Sequence, residues 1–441
     1  MIPAVLLCAY ALLIVCSTIG SGSGKTASSF FVNSRSSGAL EVAFSIIVSC
    51  IGASATVGMI GLGFTAGTPA FWWLGSGAIG LTLLSLLLAR RVRESGVYTM
   101  PQLVESYLGG PARPAISLVI VTAWTAILAA QFTALVNILG GMTGFSSAIC
   151  MLVAFAFIVL HSLGGQRAII RLDRYQALIL FAALGLLLFQ LTKYNPSWME
   201  GVSLEAVNVD FPPEKLIYFL LVVGANYLIC PMLFGRLLSA GNGKSARAGG
   251  LLAAGGIAVC AVLIVCVGLA CRGILPAETA QDAVLMSALA EAFPDWMRLA
   301  ISLGLVSAIV SSADSCLITA ATVLSHDLLG RTEPGSGRLA VFGLGVTGMA
   351  FSLWGKGIMA FLLMAYDIYA CGVVAPVFVG MLLNRKIEPR FACAAVGGGG
   401  ILGLVSALSG YSVFSYAGIL LATLVTLAGA HRASLLMPES R

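Results

Sequence analysis

Long apolar runs, each closed by a short polar or basic link, recur along the whole chain. Thirteen are long enough to cross a bilayer core as helices, which takes about 20 predominantly apolar residues. They cover 2–18, 41–66, 70–89, 114–141, 145–163, 172–192, 214–235, 247–271, 299–325, 338–354, 357–383, 391–409 and 412–430. The pattern predicts an all-α polytopic membrane protein of about 13 transmembrane helices.

Four places break the apolar uniformity. The 299–325 run carries Ser307-Ala308-Ile309-Val310-Ser311-Ser312-Ala313-Asp314-Ser315-Cys316. On a helix Ala308, Ser311, Ser312, Ser315, Thr319 and Thr322 share one side. A hydroxyl stripe beside a carboxylate suits a small hard cation, and it also suits hydrogen bonding across a crowded helix interface. An ionised Asp314 at this depth needs a partner in either case. The second run centres on Ser49-Cys50-Ile51-Gly52-Ala53-Ser54-Ala55-Thr56-Val57-Gly58, a stretch that predicts either a local helix break or close packing through small residues. Trp72 and Trp73 follow it and are expected at the outer membrane surface. In the seventh run Gly224-Ala225-Asn226-Tyr227 is expected to interrupt the helix, with Pro231 unable to donate to its ladder. Asn226 there is a helix-to-helix contact or a solute contact, and Arg236 is expected as an interfacial anchor. In the eleventh run Asp367 is a second intramembrane carboxylate and a functional candidate, and Pro376 is expected to bend the span. Two interrupted helices, five spans apart and entering from opposite sides, are what an inverted repeat produces. The repeats would be 41–192 and 214–383 within one transporter domain of 1–440, with a leading helix and loop at 1–40 and two trailing helices at 390–431.

Composition sharpens the class. A chain with 59% hydrophobic and 10% charged residues is excluded as an ordinary soluble domain. Its net charge of +6 lies in short links and forms no nucleic-acid surface. Of the 24 basic residues, only Lys193, Lys215, Arg272, Arg298 and Lys356 fall on one side of the span map. The positive-inside rule therefore places the N-terminus outside and the C-terminus inside a plasma membrane, as in a bacterial inner membrane. The first run lacks a basic leader and a cleavage site, so it reads as a retained span. The 11 cysteines sit mostly in apolar runs without metal-ligand spacing, as small buried groups rather than disulfides. His161, His326 and His431 lie near span ends and are not expected to cluster. Asp173, between Arg171 and Arg174, reads as a surface ion pair. No nucleophile–His–carboxylate set points to an enzyme.

Three motifs carry a family resemblance. Ser311-Ser312-Ala313-Asp314-Ser315 with the later Ser325-His326-Asp327-Leu328 resembles a segment of the sodium:solute symporter family, the group of proline, pantothenate, sialic acid and sugar symporters. Gly164-Gly165 with Asp173 and Gln176, and Gly61-Leu62-Gly63 with Ala66-Gly67, resemble two further family patterns. The resemblance implies two inverted five-helix repeats preceded by one helix and followed by two. It implies a sodium ion held by the carbonyls of Ile51, Ser54 and Ala308 and the hydroxyls of Ser311 and Ser312. Some relatives hold a second sodium, and the matching set here is Asp173, Ser311, Asp314 and Ser315, with Leu172 where the family has Thr. Solute contacts are implied at Ala53, Ala55, Val57, Gly58, Gln131, Tyr218, Asn226 and Tyr227. Gly58 stands where sugar-type relatives carry Gln, which disfavours a sugar, and no buried arginine is expected to await a carboxylate.

The function expected is sodium-coupled secondary active uptake of a small organic solute by alternating access. The alternatives are proton-coupled symport through Asp314 or Asp367, and a transporter-like sensor that binds solute without moving it. The partners expected are the solute, sodium and the lipid bilayer, with no nucleic acid; the pattern carries no oligomeric signature.

Overall fold

The computed structural model describes residues 2–20, 25–355 and 357–436. Lys356 and Arg441, both part of the charge pattern, lie outside the described residues. Every expected span meets a helix. We number them α1 (Ile2–Gly20), α2 (Ala39–Cys50), α3 (Ser54–Ala66), α4 (Thr68–Leu87), α5 (Ala112–Thr143), α6 (Ser147–Ser162) and α7 (Gly165–Tyr194). The second half contains α8 (Pro213–Leu238), α9 (Gly243–Cys271), α10 (Asp295–Leu328), α11 (Pro334–Ser352), α12 (Ile358–Leu383), α13 (Pro389–Ser409) and α14 (Val413–Leu436). Among the described residues nine of these are long and apolar enough to cross a membrane, or ten with α2 and α3 taken as one span bent by 61°. The protein is an all-α, multi-span membrane protein with discontinuous helices.

The solvent of the outer surface explains where the apolar residues lie. Leu118, Leu152, Phe189, Leu252, Leu339, Ile401 and Leu420 are exposed on the outer helices, as lipid contact permits. α10 is the opposite case: 94% of its apolar window is buried, against α2, α5, α6, α7 and α11. The helix with the most hydroxyls is thus the one most shielded from lipid, so its polar groups answer only to other protein groups.

Backbone irregularities cluster around this axis. Wider, π-type turns occur at Ser54–Gly58, Phe219–Gly224, Leu324–Leu328 and Ala370–Val374. Such turns are frequent at functional sites because they release carbonyls and re-aim side chains. The last has a clear local cause: Pro376 has no N–H for the carbonyl one turn back. In α8 the interruption differs from the expected one. Gly224 to Tyr227 stay helical, and the chain breaks at Ile229 and Cys230, where φ/ψ become −123°/80° and −119°/116°. Pro231, which opens the next helical turn, sets that position.

Two further expectations are corrected. Trp73 is not a surface anchor: it is 1% exposed, stacks on Tyr366 with ring centroids 6.0 Å apart and meets Phe219 edge-on at 5.5 Å. Trp72 is only half-buried. The start of α7 also lies further upstream than the apolar run indicated. Gly165 takes φ +72°, and a Cβ there would fall 2.6–3.0 Å from Phe30. Only glycine permits that turn, and it lets the helix begin at 165, which carries Asp173 from the expected surface into the interior.

Candidate functional site

The gap between α2 and α3 is built by Ile51 and Gly52. Ile51 leaves the helical region at φ −103°, ψ 67°, and the ladder restarts with Ala55 and Thr56 donating to the Gly52 carbonyl at 3.2 and 2.9 Å. Among the described residues no backbone N–H outside the regular helices donates to the Ile51 carbonyl. A side chain at Gly52 is excluded sterically, since its Cβ would lie 2.6 Å from both Gln131 Oε1 and the Ser312 side chain. Gln131 of α5 accepts from the Ala53 N–H at 2.9 Å, and Ser312 of α10 donates to the Ser49 carbonyl at 2.9 Å and the Val48 carbonyl at 3.2 Å. The broken helix is thereby held against α5 and α10 by the polar groups at its break.

Just before the break, along α2, lies a buried ionic cluster. Asp173 of α7 accepts from Ser45 and, at 2.7 Å, from Ser311. Arg236 of α8 places Nη2 3.4 Å from Asp173 Oδ2, donates to Ser315 and donates to Ser49 at 3.1 Å. The Ser49 and Ser315 hydroxyls are themselves 2.8 Å apart. Asp173 and Arg236 are both essentially unexposed, at 0% and 1%. Neither Arg171 nor Arg174 is the partner of Asp173, and Arg236 is not an interfacial anchor: these two expectations are corrected. The reason is reach, since a guanidinium on a long side chain can fold back from a helix end into the interior.

Asp314 finds a different partner. Its Oδ2 meets His161 Nδ1, and its Oδ1 accepts from Ser162 at 3.2 Å. His161 is fully buried, and its Nε2 has no hydrogen-bond partner among the described residues. His161 thus supplies the partner that Asp314 was expected to need.

Next to the helix break is a small cavity of about 50 Å³. Gln131, Ser312, Trp124, Asn226, Tyr227 and Tyr366 all contribute to its wall, and no charged side chain does. Beyond the cavity wall, α3 is packed against the segment between α9 and α10. There Gln281 Nε2 donates to the Gly58 carbonyl at 3.0 Å, and the Gln281 backbone lies so close to Gly61 that a Cβ there would be 2.1 Å from its oxygen. On the other side Asp327 of α10 is bound by Thr99 at 2.9 Å and by Arg113 at 2.8 Å, tying α5 and the loop after α4 to the end of α10.

The sequence profile of the sodium:solute symporter family matches residues 30–338. The chain belongs to that family. This sodium:solute symporter family member is a carrier for secondary active transport of a small solute, and not an enzyme. No curated protein sequence matches it. Its fold is similar to that of a Na+-coupled sialic acid symporter in a substrate-bound outward-open state, with TM-score 0.81, 13% identity and coverage of 99% of this chain and 98% of that one. It is also similar to a nucleobase–cation symport family transporter in a closed conformation with bromovinylhydantoin bound, at TM-score 0.66 and 14% identity, covering 95% and 96% of the two chains. A third match is MhsT in complex with L-phenylalanine, at TM-score 0.62 and 13% identity, covering 88% of this chain and 99% of that one.

The expected solute residues divide in two. Gln131, Asn226 and Tyr227 meet at the cavity, and Ala53 joins them through its bond to Gln131. Val57 and Gly58 are buried but do not border it, and Gly58 packs on Met359 and accepts from Gln281. Tyr218 lies elsewhere: it donates to Asp367 at 2.7 Å, and Ser415 of α14 donates to the same oxygen at 2.6 Å. Neither Tyr218 nor Asp367 borders the cavity. Their bonds tie α8, α12 and α14 together. Asp367→Asn retains an acceptor for both hydroxyls, and its sodium half-saturation and pH profile of uptake should match wild type. Asp367→Ala leaves two buried hydroxyls without that acceptor and should lower stability by about 1–3 kcal/mol in thermal unfolding. A shifted sodium titration in the Asn variant would put Asp367 on the transport path.

Trp124, His161 and Arg236 are the site residues that sequence reasoning missed. For His161 a signal existed: Asp314 required a partner, and the chain has 3 histidines to offer one.

Proposed function

We propose that this chain carries a small organic solute inward together with one sodium ion, by alternating access. The ion's ligands in this reading are the carbonyls of Ile51, Ser54 and Ala308 and the hydroxyls of Ser311 and Ser312. The observation that carries it is the meeting of the α2–α3 break with the paired serines of α10. Ser311 directs its proton to Asp173 and Ser312 directs its proton to the Ser49 carbonyl, which leaves oxygen lone pairs free for a cation. A monovalent ion in an oxygen cage between two helices that belong to different halves of the fold gives each half a reason to move when it binds. The halves would be 41–192 and 214–383, with the N-terminus outside and the C-terminus in the cytoplasm of a bacterial inner membrane.

Arg236 supports the one-ion stoichiometry of this reading. A second sodium would need Asp173, Ser311, Asp314 and Ser315, but Asp173 and Ser315 already face a guanidinium, and Asp314 faces His161. Arg236 supplies in permanent form the positive charge that a second ion would bring. Sodium coupling is also what the sialic acid symporter of the same fold is described as using.

The test is purified protein in liposomes with an imposed sodium gradient and a panel of amino acids, organic acids, amides and nucleobases. At least one solute should accumulate only with inward sodium, with a Hill coefficient near 1 for the ion. Equal uptake in sodium, potassium and choline would overturn the reading, and uptake driven by a pH gradient alone would move the coupling to Asp314 and its histidine.

A further inference from the structure

We infer that the solute is a small, uncharged, planar amide or ureide, recognised through one donated and one accepted hydrogen bond by Asn226 and Trp124. This rests on the reading above that the cavity at the helix break is the solute site.

The inference starts from two polar atoms left without a partner. Asn226 Oδ1 and Trp124 Nε1 are both buried, both belong to residues of the cavity wall, and neither has a hydrogen-bond partner among the described residues. Buried polar atoms are seldom left unpaired unless a water or a ligand completes them. The orientation of the Asn226 amide is not free. Its Nδ2 donates to the Val222 carbonyl at 2.6 Å and the Tyr366 carbonyl at 3.3 Å, so the oxygen must be the open end. The indole nitrogen can only donate. Trp124 is also held in place: Tyr369 packs edge-on against it at 4.9 Å and is anchored by its hydroxyl to the Ile229 carbonyl at 2.8 Å. The site therefore asks for one donor and one acceptor on the same small molecule.

The lining then selects among such molecules. No charged side chain faces the cavity, and the nearest buried ions, Arg236 and Asp173, neutralise each other. A carboxylate could be balanced by sodium, but it offers acceptors alone and would set an anion against Asn226 Oδ1. An amino-acid ammonium would bring three donors and a positive charge beside the cation, where Asn226 Oδ1 is the one buried acceptor left without a partner among the described residues of the wall. An amide brings one N–H and one C=O and no net charge. Trp124, Tyr227 and Tyr366 provide ring faces and edges against which a flat solute packs. The cavity, of about 50 Å³, favours a small solute.

The test uses calorimetric titration of the purified full-length protein in sodium chloride and in choline chloride. The probes are urea, 2-pyrrolidone and uracil against acetate, glycine and proline, with N-methyl-2-pyrrolidone as the variant that lacks the donor. At least one of the three amides should bind, and the acids and amino acids should not. N-methylation should weaken 2-pyrrolidone by about tenfold or more, the cost of leaving Asn226 Oδ1 unpaired. Trp124→Phe keeps the ring, removes the N–H and should weaken the same amide by about tenfold while thermal unfolding of the free protein stays at the wild-type temperature. Binding of carboxylates or amino acids with none of the amides bound overturns the class and leaves sodium coupling intact. Amide binding that is equal in sodium and choline sustains the class and counts against the coupling. Amide binding that survives both N-methylation and Trp124→Phe unchanged overturns the assignment to these two residues, and binding by none of the probes overturns the class.

Discussion

Arg236→Ala should raise the number of sodium ions to which uptake responds from the proposed one to two. The guanidinium is buried between Asp173, Ser49 and Ser315, and removing it leaves Asp173 with two hydroxyl donors and no opposite charge. Breaking a buried ion pair by deleting one partner costs about 3–5 kcal/mol, most of it the uncompensated charge. In potassium or choline the purified variant should therefore unfold at markedly lower temperature than wild type. Sodium should restore much of the loss, since the vacated volume is bordered by Asp173, Ser315 and Ser49, all oxygen donors suited to a hard cation. The Hill coefficient of uptake for sodium should rise from near 1 toward 2, and the charge moved per solute should rise with it. The double variant Asp173→Asn/Arg236→Met removes charge and counter-charge together and should recover most of the stability without gaining the second sodium dependence. A Hill coefficient that stays at 1 in Arg236→Ala, with no sodium-specific thermal protection, would show that no latent cation position exists there.

The same cluster shows which parts of this protein are legible in a sequence. Span positions are legible because lipid imposes a coarse requirement, a long apolar run, that needs no tertiary information. The break in the second span is legible because Gly52 and its small neighbours are poor helix formers at a place where a broken backbone must face protein. The serine pair and Asp314 stand out because hydroxyls and a carboxylate in an apolar run are rare. Arg236, His161 and Asp173 were opaque for one shared reason. Each lies close to a span end, where a charged or titratable residue ordinarily faces the headgroups, and nothing local distinguishes an end that is covered. Here the short helices at 27–32 and 89–94 pack on the end of α8, the first also packs on the start of α7, and α1, α10 and α11 pack on the helix of His161. Asp367 is the converse case: its depth was legible, but its partner Ser415 comes from a helix 48 residues away in sequence, which no local pattern indicates.

Ser312→Ala should raise the sodium concentration for half-maximal uptake by about tenfold or more. The serine sits where α10 meets the broken helix, its side chain 2.6 Å from where a Cβ on Gly52 would be, so its oxygen is among the groups nearest the gap. Its proton already goes to the Ser49 and Val48 carbonyls, and the substitution removes the one atom that could serve both those acceptors and an ion. Loss of one such oxygen in a dry site costs about 1–3 kcal/mol, and ~1.4 kcal/mol is already a tenfold change in binding. Apparent solute affinity should fall as well, by the factor with which sodium and solute favour each other, because binding linkage is reciprocal. Ser312→Thr keeps the oxygen and should retain more sodium affinity than Ser312→Ala, despite the added methyl. Ser311→Ala should be the harsher change. It deletes a ligand and also a hydrogen bond at 2.7 Å to Asp173, so it should lower thermal stability as well as sodium affinity. The decisive comparison is therefore between the two alanines: Ser312→Ala shifts the sodium titration with little change in unfolding temperature, and Ser311→Ala shifts both. If both variants titrate with sodium as wild type does, while uptake still requires the ion, the cation binds elsewhere and the cage at the helix break is wrong.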